Sequence, residues 1–215
     1  MKNQWPKLIV FALIMALVVI ASPGLNRQAS ALSSDIVISQ VYGGGGNSGA
    51  PYTNDFVELF NRGGSPVSLN GWSVQYASTA GTSWSNKIDL PNVTLQPGQY
   101  FLIQQASGGA NGVSLPTPDL TGATNMSGTA GKVALMNTTT VITSGTSCPT
   151  IGVIDLIGFG PATNCSETSP TTPNLSNTTA AIRGSNGCAE TDNNSADFSN
   201  GTPNPRNTLT TLSPC

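Results

Sequence analysis

From Asp35 onward the chain is cut into short segments rich in Val, Ile, Leu, Phe and Tyr, each followed by Gly, Pro, Asn or Ser before three helical turns could be completed. DIVISQVY occupies 35–42, DFVELFN 55–61, VSL 67–69, GWSVQY 71–76, YFLI 100–103, KVALMN 132–137 and VIDLIGF 153–159. Strand-like runs at a spacing of roughly ten residues, divided by turn signals, are the pattern of an antiparallel sandwich. In DFVELFN the alternation puts Phe56, Glu58 and Phe60 on one face and Val57 and Leu59 on the other. DIVISQVY alternates poorly and reads as a strand covered on both faces. Gln96-Pro97-Gly98 supplies a turn, with Pro where φ near −65° is wanted and Gly where φ is positive. With VIDLIGF the sheet complement appears full, and the Pro/Ser/Thr/Asn-rich stretch 160–179 reads as loop.

Composition closes off the helical alternative. From Leu32 to the end, Thr, Ser, Asn and Gly make up 88 of 184 residues, against three Glu and two Lys. Solvated helices are built from Glu, Lys, Ala and Leu, whereas Thr with Val and Ile suits pleated strands and Gly with Asn suits turns. The expectation is a single all-β domain over 32–215, an antiparallel β-sandwich with long loops, at a length sufficient to bury a core.

The first 31 residues differ in kind. Lys2 and Lys7 precede an unbroken apolar run from Leu8 to Ala21, then Pro23-Gly24 and the small residues Ala29-Ser30-Ala31. This order reads as a secretory signal peptide, 1–31, cleaved after Ala31. A helix over that 14-residue run would cover about 21 Å of a hydrocarbon layer roughly 30 Å thick. No later segment is apolar and long enough to span a bilayer, so the expectation is a secreted protein with no membrane span after cleavage.

Export bears on the four cysteines, Cys148, Cys165, Cys188 and Cys215. An even number in an oxidising compartment suggests two bridges, for which three pairings exist. Cys148 with Cys165 and Cys188 with Cys215 is favoured, because each pair closes a loop too polar and Pro-rich to hold itself down. A four-thiolate zinc site would need close CxxC pairs, and the gaps here are 17, 23 and 27.

Four pieces of the sequence resemble the lamin tail domain, an immunoglobulin-like sandwich found in nuclear lamins and in exported bacterial proteins. They are Ile36-Val37-Ile38-Ser39-Gln40-Val41, Phe56-Val57-Glu58-Leu59-Phe60-Asn61, Val67-Ser68-Leu69-Asn70-Gly71-Trp72 and Leu95-Gln96-Pro97-Gly98-Gln99-Tyr100. Arg183, the stretch 192–198 and the stretch 202–207 look like the end of the bacterial, secreted members. The resemblance implies an immunoglobulin-like sandwich over most of 35–207, with Trp72 in its core. It also implies a domain often found beside secreted nucleases or phosphatases. A sandwich hosts many roles, so the resemblance does not by itself name one.

The chemical inventory is narrow. The chain has no histidine, so no imidazole can serve as base, nucleophile or metal ligand. Lys87 and Lys132 each sit beside predicted strands and read as solvated lysines rather than as partners of a catalytic serine. The glycine run Gly43 to Gly49 lacks the GK[ST] of a phosphate loop and reads as a flexible loop. Asp192, Asn194 and Asp197 form the densest set of oxygen ligands and could supply calcium, although turn capping is the commoner use of such residues. Trp84 lies in a Ser/Thr/Gly-rich loop and is equally suited to an exposed ligand contact or to packing. Five scattered basic residues against ten acidic ones after residue 31 give no footprint for nucleic acid.

The sequence therefore points to a secreted, non-enzymatic binding module that contacts a cell-surface protein or glycan through loops, with no cofactor beyond that calcium. The alternatives are an accessory module of a secreted nuclease, phosphatase or other hydrolase, and a metal-dependent hydrolase.

Overall fold

The computed structural model describes Ser33 and residues 35–215; the leader expected at 1–31 lies outside the described residues. Among the described residues twelve strands follow in order: β1 (Ile36–Tyr42), β2 (Phe56–Asn61), β3 (Val67–Ser68), β4 (Ser73–Ser78), β5 (Asn86–Asp89), β6 (Thr94–Leu95), β7 (Tyr100–Gln104), β8 (Leu120–Thr121), β9 (Gly131–Met136), β10 (Val153–Phe159), β11 (Ala180–Arg183) and β12 (Phe198–Gly201). A single helical turn, Asn194–Asp197, precedes β12. One sheet runs β12-β11-β1-β2-β7-β8, a second β10-β9-β4-β5, and β3 pairs with β6. The pairing is antiparallel except between β7 and β8. This is an immunoglobulin-like β-sandwich.

Alternation builds the core. Val57 and Leu59 of β2, and Phe101 and Ile103 of β7, meet Val74 and Tyr76 of β4 and Val133 and Leu135 of β9. The poor alternation of β1 has a local cause. Its register against β2 shifts between Ile38 and Gln40, so the extra residue lets Ile36, Ile38 and Val41 all reach the same core. The opposite face of β2 is buried too: Phe56 packs with Tyr42 and Leu102, and Phe60 with Val37 and Tyr100. Between them Glu58 is paired with Arg206 of the C-terminal segment at 2.7 Å, and that segment lies across this face of the six-stranded sheet.

Two expectations are corrected. The sheets are not complete at β10, because β11 inserts beside β1 and β12 follows it, while β5 and β8 extend other edges. These strands are four residues or fewer, too short to show an apolar alternation of their own, and backbone pairing with a neighbouring strand holds them. The glycine run is packed rather than loose. Gly43 to Gly46 are buried, Gly45 N–H donates to Asp55 Oδ1 at 2.8 Å, and a Cβ on Gly45 would lie 2.1 Å from the Asn54 carbonyl carbon.

The four cysteines pair as Cys148–Cys165 and Cys188–Cys215. Among the described residues no helix is long and apolar enough to cross a membrane.

Candidate binding groove

The chain between β9 and β10 is rich in threonine, and β4 holds it in place. Ser73 Oγ donates to Thr138 O at 2.6 Å and Gln75 Nε2 to Thr140 O at 2.9 Å, while Ile142 N–H donates to Gln75 Oε1 at 2.9 Å. Gln75 thus satisfies two backbone groups of a segment with no strand partner of its own. Further along, Trp84 Nε1 donates to Thr146 O at 2.8 Å, Lys132 Nζ donates to Ser147 O at 2.6 Å, and the next residue, Cys148, is bridged to Cys165.

A fixed connection of this kind can carry a shaped surface, and it does. Residues 136–151 enclose an open groove of about 460 Å³, within the usual size range of ligand sites. Five threonines line it, at 138, 140, 143, 146 and 150, together with Val141, Ile142 and Ile151, and no lining side chain is charged. Ile151 is 88% exposed and Val141 43% exposed.

Trp84, the residue singled out as a contact, is not on this surface. Its exposure is 0%, and it packs with Met136, Ile142 and Cys148 behind the groove, its ring 5.3 Å from Lys132 Nζ. The exposed-contact alternative is thereby corrected. The loop 80–86 offers Trp84 no large apolar neighbour, but the β9–β10 connection folds over it. An indole with its N–H paired to a carbonyl is stable in such a place.

A second constellation lies where β1, β10 and β11 meet the 184–197 segment. The Arg183 guanidinium donates to Asp155 Oδ2 at 2.8 Å and Glu190 Oε2 at 2.6 Å, and lies 3.8 Å from Asp197 Oδ2, with its side chain fully buried. Burial works against its charge, but Asp155, Glu190, Glu167 and Asp197 outweigh that effect and hold its pKa above the ordinary value. Burial, then the charges of Asp155 and Glu190, push the Glu167 carboxyl far above the ordinary carboxylate range. Burial and the Asp155 charge raise Glu190 to about 7. Carboxylate oxygens of Asp155, Glu167 and Glu190 lie within 4.8 Å of one another. The guanidinium already supplies the positive charge there, and Asp155 Oδ2 also accepts the Ile38 N–H at 2.5 Å. The cluster is a buried ion network whose inventory suits cohesion of the two sheets.

The residues considered for calcium sit at its border, and two of them have separate tasks. Asn194 Oδ1 accepts the N–H groups of Gly158 at 2.8 Å and Glu167 at 3.1 Å, and its Nδ2 donates to Leu156 O at 2.9 Å. Asn194 thereby completes the outer edge of β10. Asp197 accepts from the Thr191 N–H at 2.9 Å and the Thr191 hydroxyl at 2.8 Å, an Asx-type cap of the turn. Asp192 has a positive φ of 56° and a buried Oδ1 without a partner.

Neither the groove nor the ion network was legible as a site. The only signal for the groove was the isolated Val141-Ile142 and Ile151 among threonines beside a half-cystine.

A comparison with protein families finds that the model described as Lamin Tail Domain matches residues 29–149, a span that includes the first nine strands and stops just short of Thr150 and Ile151 at the groove's edge. Arg183 and the stretches 192–198 and 202–207 lie beyond it. No curated protein matches the chain.

Proposed function

The chain belongs to the lamin tail domain family, an immunoglobulin-like interaction module, and from that premise we propose that it acts outside the cell as a non-enzymatic module holding a protein partner in the Met136–Ile151 groove. The mature form in this reading is a single domain, 32–215, released from the leader 1–31.

The observation that carries the reading is Ile151, an aliphatic side chain almost wholly in water at the rim of an uncharged groove that is anchored from behind by Gln75, Trp84 and a disulfide. Preorganised apolar surface with hydroxyls around it suits a neutral, aliphatic side chain presented by a protein. A glycan is the weaker occupant, because sugar rings are held on exposed aromatic faces and Trp84, which could have offered one, is buried. The missing imidazole and the oxidised thiols support a non-catalytic role.

The test is binding of the labelled mature chain to intact cells from its native culture. Protease treatment of the cells and the substitution Ile151→Asp should each abolish binding. Binding that survives Ile151→Asp, or that is lost on periodate oxidation of surface sugars and not on proteolysis, would overturn the reading. Recovery of a secreted hydrolase in stoichiometric amount would instead support the accessory-module alternative.

A further inference from the structure

Lys132 faces away from the inter-sheet core, on the same side of β9 as Ala134 and Met136, and has 0% exposure. Its Nζ touches Ser147 O at 2.6 Å and Asn164 Oδ1 at 2.5 Å, with the Trp84 ring centre 5.3 Å away. Among the described residues no carboxylate lies within ion-pair distance of it. Two carbonyl dipoles and a ring face offset part of the lost hydration, but nothing neutralises the charge, and an uncompensated buried ammonium is costly. Burial accordingly pushes the Lys132 amine down to about 8. At pH 7 about a tenth of the molecules then carry a neutral, nucleophilic amine, far more than for a solvated lysine.

The group that this amine faces is a carboxamide, and the two are held at contact by the fold. Ser147 and Asn164 immediately precede the two half-cystines Cys148 and Cys165, so the disulfide fixes both oxygens around Nζ. Such immobilisation replaces an encounter between separate groups with a unimolecular step. Asn164 is itself at the surface, which leaves a path out for a small leaving group.

We propose that Lys132 and Asn164 condense within the folded protein to an amide cross-link between β9 and the segment leading into Cys165. The lone pair of the neutral amine forms the Nζ–Cγ bond. The proton shed by Nζ passes to Nδ2, and the Cγ–Nδ2 bond breaks with its electron pair leaving on ammonia. No oxidant, metal or other reactant is consumed. Ser147 O accepts one Nζ–H and keeps the amine turned toward the carboxamide. With no carboxyl group beside the pair to act as general acid, the step is slow and follows folding. Its product removes the unpaired charge from the interior and ties the back of the groove by a second covalent link beside the disulfide. The inference stands apart from what the groove binds.

Mass spectrometry of the purified mature chain, reduced and unfolded after days at pH 8, provides the test. The expected mass is about 17 Da below that of the linear sequence, the loss of one ammonia. Proteolysis should yield one branched fragment joining Lys132 to Asn164. Lys132→Arg and Asn164→Ala should each show their full sequence mass, and so should wild-type chain kept in urea and reductant throughout. A wild-type mass with no deficit overturns the proposal. So does a deficit that maps to a single linear peptide, which would mark an asparagine succinimide.

Discussion

Arg183 and Asp155 meet at 2.8 Å with neither side chain accessible to solvent. The pair joins β11 of the six-stranded sheet to β10 of the four-stranded sheet, so it spans the interior of the sandwich. Arg183 also donates from Nε to Ile38 O at 2.9 Å and stacks over the Phe198 ring at 4.4 Å. Replacing it with Met would leave Asp155, Glu190 and Asp197 without their shared cation. A loss of about 3–5 kcal/mol is expected, measurable by urea unfolding; a loss below about 1 kcal/mol would refute the network's role.

Stability should fall as pH rises through neutrality. Burial raises Asp55 from 3.8 to about 7, and burial with the Asp155 charge raises Glu190 from 4.5 to about 7. A carboxyl with a raised folded pKa stabilises the fold below its unfolded value, and that contribution disappears as pH climbs through the folded value. Lys132, lowered to about 8, acts in the opposite sense only above that pH. The melting midpoint should therefore be higher at pH 5 than at pH 8, with a shallower fall in Glu190→Gln. A midpoint that rises over this interval contradicts the assignment.

Asn194 stands in for a strand beside β10, through Leu156 O at 2.9 Å and Gly158 N–H at 2.8 Å. Asn194→Ala leaves those groups, the Glu167 N–H and the Glu167 carboxyl without their partner. The expected cost is about 2–3 kcal/mol, with faster amide exchange at Gly158. Unchanged exchange there would show that the edge is protected by other means.

Trp84→Ala should lower stability by about 3–5 kcal/mol and weaken partner binding along with it, since the indole supports Thr146 and Ile142 from behind. Trp84→Phe keeps most of the packing and loses the hydrogen bond, so an intermediate effect is expected. If Trp84→Ala retains wild-type stability, the groove is not anchored by this residue.

Calcium should leave the protein unaffected. The Asn194 carbonyl and the Asp197 carboxylate are already taken by backbone and hydroxyl donors. Melting curves in excess calcium and in chelator should coincide, and a clear upward shift with calcium would restore the ligand reading of Asp192, Asn194 and Asp197.

The strands that could be read from the sequence are those with their own apolar run of five or more residues, alternating as in DFVELFN or nearly continuous as in DIVISQVY and VIDLIGF. β11, with the sequence AAIR, and β12, with FSNG, lack that pattern and owe their form to pairing along β1. Trp84 was open between exposure and burial because its cover, Ile142 and Cys148, lies about sixty residues further along the chain. The ion network was illegible for a similar reason: Asp155, Glu167, Arg183 and Glu190 are spread over 155–190, and no local spacing among them signals that they meet.

The sequence by itself determined that this chain forms a disulfide-tied β-sandwich, because strand alternation, turn chemistry and loop closure are properties of neighbouring residues. Only the tertiary structure decided which polar groups lose their water and which charges share a site. It placed Lys132 beside a carboxamide with no acid, gathered three carboxylates on one arginine, and left Ile151 in solvent. Desolvation and Coulomb energies depend on distances through space, and a one-dimensional pattern does not contain them.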